Sequence, residues 1–99
     1  MKKKEQGQDT RELSVVEWIE SGFTFGNLGN YPQAIADFNR AIEPKSKDAM
    51  AYYFRGRVHA NLGNYEQAIK DFARAIKLNS HYAAAYNNRG FAYYGLGNS

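Results

Sequence analysis

The two histidines, His59 and His81, are the side chains of this sequence best suited to metal binding or proton transfer. They stand 22 residues apart, on a predicted helix and in a predicted loop, and neither has a carboxylate at the spacing of a metal site. His59 instead falls where a packing residue is expected. The pattern therefore favours structural roles for both histidines.

The remaining candidates for chemistry are weak. Glu17 and Glu20 lie one helical turn apart, and nothing in their surroundings predicts the burial that would raise the pKa of either carboxyl. The segment 27–30, Asn-Leu-Gly-Asn, has one glycine, whereas a phosphate-binding loop needs several and usually a lysine. The sequence has no cysteine, which excludes thiolate chemistry. We predict a protein with no catalytic activity, cofactor or bound metal.

The charge pattern indicates a soluble protein that does not bind nucleic acid. The formal net charge is +3, and a lysine run at positions 2–4 is followed by polar residues where a signal peptide would be apolar. Beyond this run, both signs of charge mix along each predicted helix instead of forming a basic face. No apolar run reaches the roughly 20 residues that span a bilayer. We expect a cytoplasmic protein whose residues 1–13 form a disordered or frayed tail.

A repeat of 34 residues organises the rest of the chain. Three glycines mark it, at Gly22, Gly56 and Gly90, and similar neighbours recur around each. The repeats occupy residues 15–48 and 49–82, with a half repeat over 83–99, all within a domain of residues 14–99. Each full repeat predicts two helices, so we expect five helices in an all-α solenoid.

Residues that end one helix and begin the next recur with the same period. Glycine is expected to end each first helix in a left-handed conformation, at Gly29, Gly63 and Gly97. Asparagine follows, with glutamine three residues later, as Asn30 with Gln33 and Asn64 with Gln67. This spacing predicts reciprocal caps at the start of the second helix.

The second helices carry one apolar face and one charged face. Their apolar positions follow a helical spacing: Ala34, Ile35, Phe38, Ala41 and Ile42, then Ala68, Ile69, Phe72, Ala75 and Ile76. Asp37 with Arg40, and Asp71 with Arg74, lie three residues apart, and we expect them to be exposed ion pairs on the solvent face. Gly22 and Gly56 should allow close approach of the paired helices.

These residues resemble the tetratricopeptide repeat (TPR) family. The matching positions are Trp18, Gly22, Phe25, Ala34 and Phe38, then Tyr52, Gly56, Ala68, Phe72 and Ala75, then Tyr86, Gly90 and Tyr93. The resemblance implies a right-handed α-solenoid of antiparallel helix pairs that binds proteins or peptides. The sequence departs from the family at one position. The family has leucine before the first glycine of each repeat, whereas this sequence has Ser21, Arg55 and Arg89.

The resemblance also implies a concave peptide-binding wall. Its positions in this chain include Ile19, Phe23, Met50, Tyr53, Arg57, Asn61, Asn87, Phe91 and Tyr94. Family members that hold the acidic C-terminus of heat-shock chaperones use a clamp of lysine, asparagine and arginine, but Ile19 and Phe23 stand where the leading lysine and asparagine belong. We therefore expect an apolar or aromatic peptide as the partner.

The half repeat suggests an alternative function. Its predicted helix carries Tyr86, Gly90 and Tyr93 on a face that no second helix within the sequence covers, and this face can dock on another copy to form a homo-oligomer. The same pattern would arise in a fragment of a longer array, and the sequence does not distinguish the two. RNA binding by a related 35-residue repeat is disfavoured, because the period is strictly 34 and paired base-reading residues do not recur.

Overall fold

A computed structural model describes residues 14–43 and 47–97, and these residues form five α-helices. The helices are α1 (Val15–Asn27), α2 (Tyr31–Ile42), α3 (Ala49–Asn61), α4 (Tyr65–Leu78) and α5 (Ala83–Gly97). The predicted all-α fold of five helices is confirmed. The tail predicted for residues 1–13 lies outside the described residues.

Each helix packs against the next one along the chain, and the first helices also contact one another in the order α1, α3, α5. Two clusters of buried side chains result. One is centred on Phe38 between α1, α2 and α3, and the other on Phe72 between α3, α4 and α5. Both phenylalanines are almost inaccessible to solvent. The 34-residue period therefore builds one core cluster per repeat.

Close approach at the repeated glycines is confirmed. A Cβ atom on Gly22 would lie 2.7 Å from the Phe38 ring, and one on Gly56 would lie 2.8 Å from the Phe72 ring. No side chain fits at these distances. The glycine at this position is thus the socket for the phenylalanine of the second helix.

The helix stops are confirmed at two of the three predicted glycines. Gly29 and Gly63 have φ angles of 83° and 82°, in the left-handed region where glycine carries no Cβ penalty. Gly97 differs, since it remains helical at the end of α5 without a positive φ.

The predicted capping boxes at Asn30 and Asn64 are wrong. Neither asparagine side chain caps its helix. The backbone N–H of Asn30 donates instead to the Phe25 carbonyl at 2.9 Å, and that of Asn64 to the His59 carbonyl at 2.8 Å. These bonds complete the C-terminal motif of the preceding helix, so the N–H that a reciprocal box requires is already occupied.

Side-chain caps lie at the start of α1 and α3, the first helices of the two full repeats. At α1, the Glu17 N–H donates to Ser14 Oγ at 3.2 Å and the Ser14 N–H donates to Glu17 Oε1 at 2.9 Å. At α3, the Met50 N–H donates to Asp48 Oδ1 at 3.0 Å. Glu17, considered above as half of an acid pair, is therefore a capping residue.

The exposed ion pairs predicted at Asp37–Arg40 and Asp71–Arg74 are also wrong. Asp37 and Asp71 are 2% and 6% exposed, and each faces the paired first helix. Ser21 Oγ donates to Asp37 Oδ2 at 2.5 Å.

In the second repeat, Arg55 binds Asp71 with two parallel hydrogen bonds, Nε to Oδ2 at 2.9 Å and Nη2 to Oδ1 at 2.7 Å. The side chains that replace the family leucine are therefore the partners of these carboxylates.

The two arginines of the expected pairs stack on aromatic rings. The Arg40 guanidinium carbon lies 5.3 Å from the Trp18 ring centroid, and that of Arg74 lies 5.6 Å from the Tyr52 ring centroid. Each second helix thus presents an aspartate, a phenylalanine and an arginine to its first helix. These polar contacts follow the same period as the core.

Candidate functional site

An aromatic surface lies between α1 and α3. The Phe23 ring meets the Phe54 ring edge to face, with centroids 5.2 Å apart, and Phe54 also stacks on Phe38 at 6.1 Å. Phe23 is 42% exposed, whereas Phe54 is half-buried. Phe23 therefore forms an accessible apolar platform supported by the core.

Two adjoining hollows share Phe23 and Phe54 and form what we call the α1–α3 groove. The first is lined by Gly22, Phe23, Gly26, Asn27, Phe38, Phe54, Arg57, Val58 and Asn61. The second is lined by Ile19, Glu20, Phe23, Thr24, Met50 and Phe54. The floor is apolar and aromatic, and hydrogen-bonding side chains stand at its rim.

The groove carries opposite charges near its two hollows. Arg57 and Asn61 border one hollow, and Glu20 borders the other. The Arg57 guanidinium carbon lies 5.9 Å from the Tyr53 ring centroid, and Arg57 is exposed. A ligand lying across Phe23 would meet donors at one end and a carboxylate at the other.

Four predicted wall residues, Phe23, Met50, Arg57 and Asn61, are exposed and border the groove. Ile19 also borders it but is only 6% exposed, so most of its side chain packs in the core.

Tyr53 is 8% exposed and lies in the Phe72 cluster. Its ring centroid is 4.8 Å from that of Tyr82, and its hydroxyl accepts a hydrogen bond from Asn88 Nδ2 at 3.0 Å. Burial raises the pKa of Tyr82 to about 12. Tyr53 is thus a core residue that packs beneath the predicted wall, and its side chain is not free to contact a peptide.

The three wall residues predicted on α5, Asn87, Phe91 and Tyr94, are exposed. Among the described helices, α5 contacts α3 and α4 and does not contact α1. These side chains are therefore set apart from the Phe23 platform. Phe54, in contrast, was missed by the sequence reasoning. The signal was its spacing of four residues from Val58, which places both side chains on the face toward α1.

The predicted self-association residues lie on α5. Tyr86 and Tyr93 are 44% and 55% exposed, and a Cβ on Gly90 would have no atom within 4 Å. Gly90 is thus a socket without a phenylalanine in the part of the chain that the structure describes.

The ionisable groups at the joint between the repeats form a structural network. Hydrogen bonds to Asp71 raise the pKa of Arg55 above its ordinary value and outweigh the opposing effect of burial. Burial lowers the pKa of His59, whose Nδ1 is buried and makes no hydrogen bond among the described residues. A lowered pKa keeps His59 neutral, which suits its packing position.

Comparison with known proteins identifies the fold family. A model of the TPR repeat matches residues 56–97. The second TPR domain of human RPAP3, solved in complex with the HSP70 peptide SGPTIEEVD, is 30% identical, with a TM-score of 0.80 over 85% of this chain and 70% of that chain. This chain belongs to the TPR family.

Other TPR structures are similar in fold. The second TPR of Spaghetti (RPAP3), bound to the HSP90 peptide SRMEEVD, is 28% identical, with a TM-score of 0.83 over 94% of this chain and 85% of that one. A crystal structure of MamA is 30% identical, with a TM-score of 0.80 over 84% of this chain. The chain spans 48% of the MamA structure. A search of the curated proteins finds no match.

TPR repeats are a protein-interaction fold and are generally non-catalytic. Within residues 14–43 and 47–97, no three or more histidines, aspartates and glutamates gather into a metal-binding group. Nor does any helix in that part of the chain have the length and apolar character needed to cross a membrane.

Proposed function

We propose that this TPR domain binds an apolar or aromatic segment of a partner protein in the α1–α3 groove. The observation that carries the proposal is the Phe23 platform, an exposed aromatic ring held in place by Phe54 and bordered by hydrogen-bonding side chains. A rigid aromatic surface with a polar rim is typical of peptide-binding hot spots. The partner would place an apolar side chain on Phe23 and direct backbone carbonyls toward Arg57 and Asn61.

The related RPAP3 domains support a peptide as the ligand, but they do not support an apolar or aromatic one. Their peptides end in Glu-Glu-Val-Asp. In this chain Ile19 and Phe23 occupy the positions implied for the lysine and asparagine of a carboxylate clamp, and Ile19 is buried. An acidic C-terminus would therefore meet an apolar surface in place of two of its donors. We propose a ligand without that requirement.

The proposal is tested by measuring the fluorescence anisotropy of labelled peptides that vary in apolar and aromatic residues, with SRMEEVD as a reference peptide. Phe23→Ala should weaken the best binder by about tenfold or more, because the platform is lost. Arg57→Ala should weaken it by about threefold, as expected for a rim residue. Tyr93→Ala removes an exposed aromatic side chain from α5 and serves as the control. If Phe23→Ala binds like the parent, or if SRMEEVD binds best, the proposal fails.

A second candidate function is self-association through α5. The exposed Tyr86 and Tyr93 side chains flanking the open Gly90 socket favour it, because uncovered aromatic surface promotes docking. The distinguishing measurement is light scattering over a dilution series. A mass that stays at 11.2 kDa throughout would contradict homo-oligomer formation.

The remaining functional proposals follow from composition and family. We propose that the domain acts without catalysis or cofactor, in the cytoplasm, and without nucleic acid as a partner. The mixed charges along the helices and the lack of cysteine support these assignments.

A further inference from the structure

A set of three contacts joins the first and second helix of the second repeat. Phe72 fills the Gly56 socket, Asp71 receives the Arg55 guanidinium, and Arg74 lies over the Tyr52 ring. The sequence of α4 that makes these contacts is Asp-Phe-Ala-Arg.

The first repeat makes the equivalent contacts with different residues. Phe38 fills the Gly22 socket, Ser21 takes the place of Arg55 beside Asp37, and Arg40 lies over Trp18. The α2 sequence is Asp-Phe-Asn-Arg. In both repeats, the second helix thus contacts its first helix through the residues of an Asp-Phe-x-Arg sequence.

The first-helix half of this set occurs again on α5. Tyr86, Arg89 and Gly90 follow Tyr52, Arg55 and Gly56 by 34 residues. The Arg89 guanidinium carbon lies 5.5 Å from the Tyr86 ring centroid, as that of Arg55 lies 5.8 Å from Tyr52. The arginine and tyrosine are therefore already arranged as they are in the occupied site.

We propose that Tyr86, Arg89 and Gly90 form a docking site for a helix that presents Asp-Phe-x-Arg. The partner aspartate would accept two hydrogen bonds from Arg89, its phenylalanine would fill the socket over Gly90, and its arginine would cover the free side of Tyr86. This site is on α5 and is independent of the α1–α3 groove.

Charge distinguishes this site from the α5 self-association considered above, because the α5 of a second copy offers Arg89 no carboxylate. The α5 sequence contains no aspartate or glutamate. Two α5 helices crossing at Gly90 would bring two Arg89 side chains together without a carboxylate between them. The Asp-Phe pairs of the chain itself, in α2 and α4, are buried in their own repeats, with exposures of 6% or less. A helix with an exposed Asp-Phe pair satisfies Arg89, whereas neither α5 nor the buried Asp-Phe pairs of a second copy do.

The probe for this site is a fluorescein-labelled, acetylated and amidated peptide with the sequence of residues 64–79. The parent domain should bind it, and Arg89→Ala should weaken binding by about tenfold, the loss expected for a hydrogen-bonded charge pair. Replacing the peptide aspartate by asparagine should weaken binding to a similar degree. Lys70→Ala removes an exposed positive charge that belongs to neither site, and this control should bind the peptide like the parent. Thermal unfolding establishes that each variant is folded.

Two-dimensional NMR locates the bound peptide. Shifts centred on Gly90 support the proposal, whereas shifts centred on Gly56 would show exchange with α4 and would overturn it. Absence of binding, or equal binding by the parent and Arg89→Ala, would also overturn it. So would a dimer that forms through α5 and persists in Arg89→Ala.

Discussion

The hydrogen-bond partner of the buried Asp71 carboxylate lies on the neighbouring helix. Asp71 lies three residues from Arg74, a spacing typical of a surface ion pair, yet it is buried and pairs with Arg55 of the neighbouring helix. That partner lies 16 residues away in sequence, so helical periodicity within α4 does not reveal it. The departure from leucine at position 55 was the available signal, because an arginine at a packing position requires an acceptor.

Restoring the family leucine at position 55 should therefore destabilise the protein. We expect Arg55→Leu to lower the free energy of unfolding by about 2 kcal/mol, since it leaves the Asp71 carboxylate buried without its donors. Urea titration followed by circular dichroism measures the change.

Arg89→Leu provides a matched control at the equivalent position of α5. No carboxylate pairs with Arg89 in the described chain, so its removal should change the unfolding free energy by less than about 0.5 kcal/mol. Equal losses in the two variants would show that the Arg55–Asp71 pair does not account for the effect.

At the scale of the helix, the start signals divide into two kinds. Ser14 and Asp48 cap α1 and α3 with their side chains. Asn30 and Asn64 begin the second helices without a side-chain cap, because their backbone N–H groups close the preceding turn. The same residue spacing thus gives a box at Ser14 with Glu17 and none at Asn64 with Gln67.

This division predicts different costs of alanine substitution. Ser14→Ala should destabilise the protein by about 1 kcal/mol, the usual cost of a lost N-cap. Asn64→Ala should cost less than about 0.5 kcal/mol, because no cap bond is lost. Urea unfolding of both variants tests the difference, and an Asn64→Ala loss as large as that of Ser14→Ala would contradict it.

At the scale of the whole molecule, the 34-residue period was sufficient to predict five helices and the glycine sockets. It was insufficient for the groove, because each wall position repeats in sequence while its exposure depends on neighbouring repeats. Tyr53 and Phe23 show this. Both were assigned to the wall, but Tyr53 is enclosed by α4 and α5 residues, whereas Phe23 remains exposed.

The helices should also differ in local stability. Among the described elements, α3 contacts α1, α2, α4 and α5, whereas α5 contacts only α3 and α4 and buries only Ala85 and Ala92. Amide hydrogen exchange followed by NMR should show protection factors in α5 at least about tenfold lower than in α3. Uniform protection along the chain would indicate that the array unfolds only as a unit.

The Arg55 guanidinium has a mechanical consequence for the solenoid. Besides binding Asp71, it donates to Asn39 Oδ1 at 2.7 Å, so one rigid planar group ties α2, α3 and α4 together. One repeat later, Ala73 stands in the place of Asn39 and offers no side-chain acceptor. We therefore expect the junction of α2 with α3 to be rigid. The equivalent junction of α4 with α5 should be more flexible. The angle between the first and second repeats would then be fixed, whereas the angle between the second repeat and α5, which carries Tyr94, would vary.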